Sequence, residues 1–316
     1  MESDFFASWM RLHMVHEIFS KTSQQTTGLA NFSWSAVKRL AVRFPACVDE
    51  QRRIAASLKL TDDVVKKARK ELTATREVKR SLMQSLFRTG MPDQIRGAED
   101  SKIGPIPIGW RVRAIRSVLS EKPDSGTSPL SRPDPPGTPI LNVTCVKEGV
   151  CNPADVTYVD VPDEDVERYR ARMGDFFVLR GNGNRDYVGT GGLLREAPPH
   201  DTIYSDKLIR LRFNSEEVAD RFVPYLWQSR VFLDRLQSKA ESGSGLWMMS
   251  KRDIGRELFA CPSLDEQREI VALLDSTEAQ LIAQSTKVEA LLEVKRSLLR
   301  SLLTGVIRIP VGAIHA

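Results

Sequence analysis

The sequence predicts an α/β (α+β) domain attached to two long helices that pack antiparallel as a coiled coil, and an internal repeat is the main reason. The stretch from Asp49 to Leu86 returns as Asp265 to Leu302, and the two align without insertion or deletion. In both, the Asp-Glu-Gln-Arg and Glu-Val-Lys-Arg-Ser-Leu blocks keep one separation of 28 residues, from 51 to 79 and from 267 to 295. That is four heptads, the period at which two helices hold one seam in contact over many turns. Between the copies, short strand-like runs alternate with Gly, Pro and Asn clusters, which marks a separate sheet-containing domain.

The seam of the first copy reads Ile54, Leu58, Thr61, Val65, Ala68, Leu72, Thr75, Lys79, Leu82, Leu86. In the same phase the second reads Ile270, Leu274, Thr277, Leu281, Gln284, Val288, Leu291, Lys295, Leu298, Leu302. Both are apolar at the ends and softer in the middle. Each copy makes a helix about 60 Å long at about 1.5 Å per residue. A lone helix with Thr and Gln in its seam is unstable in water, because burial supplies most helix stability. Matched length and matched ends make each helix the natural partner of the other.

At 316 residues, 41% hydrophobic and 28% charged, the chain is globular rather than disordered. Its net charge of +5 permits a polyanionic partner. Cys47, Cys145, Cys151 and Cys261 form no Cys-x-x-Cys pair, and neither a signal peptide nor a long apolar run is present. A reduced, cytoplasmic protein without a membrane span is expected. His13, His16, His200 and His315 show no metal-ligand spacing, and His13 and His16 are read as ordinary helix residues.

Residues 1–48 predict helices over 4–12, 15–21 and 33–40. Sliding the sequence by 217 places Phe5 on Phe222, Met10 on Trp227, Gly28 on Gly245, Ser33 on Ser250, Val37 on Ile254 and Pro45 on Pro262. The first 48 residues therefore match the last part of the domain that follows. By this offset Ile103 maps ahead of Met1, so the first domain is expected to lack its strands. Phe5, Phe6, Trp9, Phe32 and Trp34 are then expected to be left exposed, and two chains are expected to cooperate through their spacer helices. The boundaries are 1–48, the remnant; 49–90, the first spacer helix; 91–102, a linker; 103–262, a complete domain; 263–305, the second spacer helix; and 306–316, a tail. Within the complete domain, strands are expected at 139–146, 156–159, 175–179, 192–195 and 207–213, with helices at 216–229 and 231–240. The Pro- and Ser-rich stretch 121–139 is expected to be a mobile surface loop.

Catalytic signatures are missing. The sequence carries no phosphate-binding Gly-x-x-x-x-Gly-Lys-Ser/Thr loop and no Gly-x-Gly-x-x-Gly after a strand. Asn152-Pro153 lacks the aromatic that an aminomethyltransferase uses to stack a flipped base. Asp163-Glu164-Asp165 reads as a solvated turn. What remains suits reading of nucleic acid. Arg180, Asn182, Asn184 and Arg185 share a Gly-rich loop after a strand; Arg pairs bidentately with guanine and Asn with adenine, and glycine lets backbone approach a groove. A polar hairpin turn is the alternative. Lys239, Ser242 and Ser244, on a second loop, and Lys207 are candidates for phosphate contact, against a plain linker.

The paired Pro-x-x-(x)-Asp-Glu-Gln and Lys-x-x-Leu blocks, with Thr89-Gly90 and Thr304-Gly305, resemble the specificity subunit of type I restriction-modification systems. So does Ile103-Gly104-Pro105-Ile106-Pro107-Ile108-Gly109-Trp110 at the opening of the domain. The resemblance implies target-recognition domains alternating with two antiparallel spacer helices, each domain reading half of a split site in double-stranded DNA. It implies a non-catalytic chain that scaffolds adenine methyltransferase (modification) subunits and a restriction subunit. Glu50, Gln51, Lys79, Glu266, Gln267 and Lys295 would serve the spacer and the subunit contacts. S-adenosylmethionine, ATP and Mg2+ would belong to those partners, with no cofactor in this chain. The competing expectation is a truncated coiled-coil assembly or inhibitory fragment that reads no DNA.

Overall fold

The computed structural model describes residues 1–11, 24–26, 29–31, 44–94, 97–129, 131–132, 137–199, 201–243 and 245–309. The helices in chain order are α1 (Ser3–Trp9), α2 (Val48–Thr89), α3 (Asp163–Arg168), α4 (Phe222–Gln228), α5 (Arg230–Gln237), α6 (Lys251–Arg256) and α7 (Leu264–Leu303). The chain forms two compact units, Met1–Arg76 with Ala279–Ala316, and Glu77–Glu278. The long helices fall within one or two residues of their expected bounds. Both stop where a glycine takes the left-handed conformation, Gly90 at φ +79° and Gly305 at φ +77°. A side chain is strained there, and the turn uncovers the last carbonyls for capping, as when the Gly90 N–H donates to Leu86 O at 3.0 Å.

In the first unit, α2 and α7 meet along the expected seam. Ile54, Ala55 and Leu58 cluster with Leu302 and Leu303, and Ala68 and Leu72 cluster with Val288. Lys295 Nζ lies 2.6 Å from Asp62 Oδ1, and Lys287 Nζ lies 3.9 Å from Glu71 Oε2. Partner numbers fall along α7 as they rise along α2, so the two segments run in opposite directions. Arg11 adds a second cation to Asp62, 3.0 Å from Oδ2. Phe5 and Trp9, expected to be exposed, are buried against Ile54, Leu58 and Leu302. They fill the space beside this end of the seam, so the apolar face of α1 is already covered. The expected helices at 15–21 and 33–40, with Phe32, Trp34 and the histidines, lie outside the described residues.

The second unit surrounds a mixed sheet. In spatial order its strands are Asp124–Ser125, Leu208–Leu211, Phe176–Leu179, Gly191–Leu194, Val150–Cys151 and Val146–Lys147. Neighbours are antiparallel except Val150–Cys151 beside Gly191–Leu194. Phe176–Leu179 is buried throughout, as expected of a central strand that reads as an unbroken apolar run. Trp227 of α4 packs on Phe176 and Phe232 with ring centroids 5.1 and 4.8 Å apart. Gly191 makes room for this stack, since a Cβ there would lie 2.3 Å from Phe176 Cζ. A second sheet orders Ile203–Tyr204, Thr138–Leu141, Val156–Val159 and Ser131–Arg132. Of the expected strands, 156–159 is present at its full bounds, 192–195 is shifted by one residue, and the other three are shorter than expected.

The helix expected over 216–229 begins only at Phe222. Asn214 Oδ1 accepts from the Glu216 N–H in a turn, and Arg221 at φ +68° sets the helix start. The stretch 121–139, expected to be a loop, contains the strands Asp124–Ser125 and Ser131–Arg132, each paired to an inner strand. Polar composition does not prevent an edge segment from completing a ladder.

At this unit's end of the helix pair, Met83, Leu86 and Phe87 join Trp110, Phe222, Ile270 and Leu274 in one core. Lys79 donates to Glu278 Oε2, and Arg195 approaches Oε1 at 3.5 Å. Burial by itself would raise the Glu278 carboxyl, but Lys79 and Arg195 more than reverse that and hold it below its ordinary 4.5. Lys79 and Lys295 are equivalent in the repeat, and so are Asp62 and Glu278. The two ion pairs are thus reciprocal.

Two outcomes follow. Phe5→Ala is expected to lower stability by about 3–5 kcal/mol, the usual cost of emptying a large buried aromatic site; urea unfolding measures it, and a loss near zero would mean that α1 does not cover the seam. A carboxyl lowered on folding contributes stability above its unfolded value, and that contribution is lost as pH falls through the folded one. Glu278→Gln is therefore expected to flatten the loss of stability below the ordinary 4.5, read as unfolding midpoints across an acid pH series. An equally steep acid limb would place that sensitivity elsewhere.

Candidate nucleic-acid interface

The Glu and Gln of the repeated block sit at the first turn of each long helix, where backbone N–H groups lack helical acceptors and neighbouring chain must be fastened. Gln51 Oε1 accepts from the Glu2 N–H at 2.7 Å, and its Nε2 donates to Pro45 O at 2.7 Å. Gln267 Oε1 accepts from the Ala219 N–H at 2.9 Å, and its Nε2 donates to Pro262 O at 2.9 Å. Glu2 and Ala219, like Pro45 and Pro262, are related by the same 217-residue offset. The glutamates differ. Glu266 accepts from Trp110 Nε1 at 3.2 Å, whereas Glu50 accepts from Arg308 Nε at 2.5 Å and is held below its ordinary 4.5 by that guanidinium. Glu50, Gln51, Glu266 and Gln267 are all buried. These four, with Lys79 and Lys295 in the seam, are engaged in ties within their own units.

The two polar loops singled out in the sequence come together. Glu241–Gly243 and Leu246–Met248 form a hairpin, and Gly181–Asn182 pairs antiparallel with its second strand. Trp247 lies opposite Asn182 on one side and Ser242 on the other. The Arg185 guanidinium covers the Trp247 ring at 5.0 Å, and one of its nitrogens donates to Gln237 O at 3.3 Å. The root is tied to the sheet by the Arg180 N–H donating to Lys207 O and the Met249 N–H donating to Arg180 O, each at 2.8 Å. Asn184, Arg185, Tyr187, Lys207, Ser242, Leu246 and Met248 are exposed.

The loop residues do not all keep the roles expected of them. Asn182 Oδ1 accepts from the Asn184 N–H at 2.9 Å, and Asn184 Oδ1 accepts from the Asp186 N–H at 3.0 Å. Both amides therefore build successive Asx turns, and their Nδ2 groups have no hydrogen bond to the described residues. Lys239 is exposed but ion-paired within the unit. Its Nζ lies 2.5 Å from Glu257 Oε2, and Arg235 Nε lies 2.8 Å from Oε1 of the same buried carboxylate. A buried charge needs such partners, and the glutamate claims them both. Ser244 lies outside the described residues. Arg180 and Lys207 retain side chains with no hydrogen bond or ion pair to the described residues.

Trp247 was not singled out from the sequence, although an aromatic within a Gly- and Ser-rich hairpin was the available signal. The face offers donors, a cation stacked on an indole and apolar side chains, the set that contacts base edges and thymine methyl groups. Among its described residues, no nucleophile is paired with a base. Among the described residues, no group of three His, Cys, Asp or Glu side chains is placed to hold a metal, and no helix is long and apolar enough to cross a membrane.

No family model matches the chain. Among curated proteins it is 27% identical over 176 residues to the "Type I restriction enzyme EcoKI specificity subunit" of Escherichia coli strain K12, covering 55% of this chain and 35% of that one. It is 23% identical over 299 residues to the MjaVIII specificity subunit of Methanocaldococcus jannaschii, covering 93% of this chain and 68% of that one. The chain thus spans about a third of the length of the first of these relatives. Among solved structures, the S subunit of a type I restriction-modification system from M. genitalium matches with a TM-score of 0.58 at 15% identity, over 96% of this chain and 72% of that one. A chain from a structure concerned with complex assembly of the type I R-M system matches with a TM-score of 0.57 at 20% identity, over 95% and 70%. The solved structures share the fold, and the curated sequences place this chain among relatives of type I restriction enzyme specificity subunits.

Proposed function

We propose, with kinship to type I restriction enzyme specificity subunits as the premise, that this chain is the DNA-reading, non-catalytic component of a type I restriction-modification complex. The second unit reads one half of a split site in double-stranded DNA through the Arg180–Arg185 loop and the 241–248 hairpin. The helices α2 and α7 serve as an antiparallel coiled-coil spacer derived from the internal repeat, which sets the gap between half-sites. Modification and restriction subunits assemble on this scaffold and supply the S-adenosylmethionine, ATP and Mg2+ chemistry. The setting of such a complex is the cytoplasm.

The observation that carries this reading is the convergence of both loops on one exposed three-stranded face, with Arg185 stacked on Trp247. The reciprocal Lys79–Glu278 and Lys295–Asp62 pairs support the spacer, because a polar group in a helical seam selects register and orientation.

The test combines selection of bound sequences from a random duplex library with alanine substitution. Arg180→Ala, Arg185→Ala and Trp247→Ala are each expected to weaken binding by about 1–3 kcal/mol if a base contact is lost, and to relax preference at one position. Lys239→Ala is expected to lower the unfolding midpoint instead. Unchanged affinity and unchanged preference in the first three variants would remove this face from the reading site.

A further inference from the structure

We infer that α6 and the segment packed beneath it, residues 115–124, form a phosphate-contact face along which the backbone of duplex DNA passes beside the reading hairpin. This rests on the DNA-reading function proposed above. The face carries Arg116, Lys122, Lys251, Arg252 and Arg256, all exposed. Its two parts are in contact. A Cβ placed on Gly255 would lie 3.6 Å from Arg116 Cβ and 3.9 Å from Pro123 Cγ. Lys251 Nζ lies 3.7 Å from Asp124 Oδ1. α6 lies on the Ile115–Val118 turn, which gathers cations from two separate stretches of sequence onto one surface.

Four of these cations, all but Lys251, are unmatched among the described residues. Elsewhere in the same unit Arg113 meets Glu217, Arg212 meets Asp175 and Glu121, Arg221 meets Asp275, and Arg235 meets Glu257. Arg116, Lys122, Arg252 and Arg256 have no hydrogen bond or ion pair with the described residues, and the acids close by are engaged. Asp124 faces Lys251, and Asp253 closes the capping box with Ser250. Unmatched like charges held together destabilise a fold through self-repulsion, and a polyanion laid across them removes that penalty.

The position of the face indicates which polyanion. Met249, whose N–H donates to Arg180 O at 2.8 Å, is two residues ahead of Lys251, so α6 starts where the reading hairpin ends. Arg252 and Arg256 are one helical turn apart, about 6 Å along the axis. That spans close to two phosphate steps of about 3.4 Å per strand along B-DNA. Phosphate contacts fix orientation while base contacts specify, so a basic strip next to a hairpin of donors and apolar tips provides both tasks in one domain.

The experiment uses the full chain with Arg116→Gln, Arg252→Gln and Arg256→Gln combined. Binding to a random-sequence duplex and to the selected target is followed across a salt series. The slope of log K against log salt is expected to fall by about one for each residue that meets a phosphate, roughly two to three in all, with the sequence preference retained. Arg168→Gln with Arg172→Gln, exposed cations off this face, is expected to leave the slope unchanged, and thermal unfolding is expected to show the triple variant folded. A wild-type slope in the triple variant, or an equal drop in the control pair, overturns the assignment. Loss of methyltransferase-subunit binding with an unaltered DNA slope overturns it too, and makes the face a protein interface. Failure of the wild-type chain to bind any duplex at low salt defeats the DNA-reading function itself, and this inference with it.

Discussion

A carboxylate held between two cations within a helical seam is the constraint on which the long helices depend. Glu278 sits between Lys79 and Arg195, and Asp62 between Lys295 and Arg11. Apolar seam residues spaced by heptads tolerate a slip of one heptad, because each knob finds another hole. A seam lysine does not. Moved seven residues it would lose its carboxylate and leave two partly buried charges uncompensated, a penalty of several kcal/mol. Because the pairs are reciprocal in the repeat, each helix supplies one lysine and one acid. The same sequence device therefore selects both the register and the opposed direction of the chains.

The glutamine clamps carry that order from the helices to the segments beside them. Gln51 and Gln267 each join a residue preceding the helix to a more distant backbone N–H, so a helix start and its adjoining segment are fixed as one piece. In the second unit this rigidity reaches the surface through Glu257, which draws Arg235 and Lys239 inward, and through Trp227, whose indole N–H donates to Gly189 O at 2.8 Å below the Arg180–Arg185 loop. A mobile presentation of Arg185 and Trp247 would forfeit binding free energy to ordering. The supports beneath them reduce that loss.

Much of this was legible in the sequence, and the parts that were not have definable causes. The helices and their seam were readable because a heptad pattern is one-dimensional, and every predicted seam position from Ile54 to Leu86 is buried or half-buried. The strands were readable as apolar runs between turn residues, although Arg221, which starts α4 late, depends on a backbone conformation that no pattern announces. The Arg180–Arg185 loop and the stretch 238–245 were each legible as polar loops. Their pairing was not, because a ladder between Asn182 and Trp247 is set by the tertiary path of the chain. The ion pair of Lys239 is hidden from the sequence for a related reason. Whether an exposed-looking lysine is free depends on a buried acid such as Glu257, eighteen positions away in the sequence. Phe5 and Trp9 were misjudged because the groove that receives them is built by the far end of α7.

The hairpin has one more property. A Cβ added at Gly183 or Gly243 meets no atom within 4 Å, and Ser242, Leu246 and Met248 are exposed, while the core below is closed by Phe176, Trp227 and Phe232. Side chains at the tip can be exchanged without disturbing the packing that folds the domain, since surface substitutions away from such packing change stability by about 0.5 kcal/mol or less. The tip of the hairpin can therefore change in sequence while the fold beneath it stays as it is.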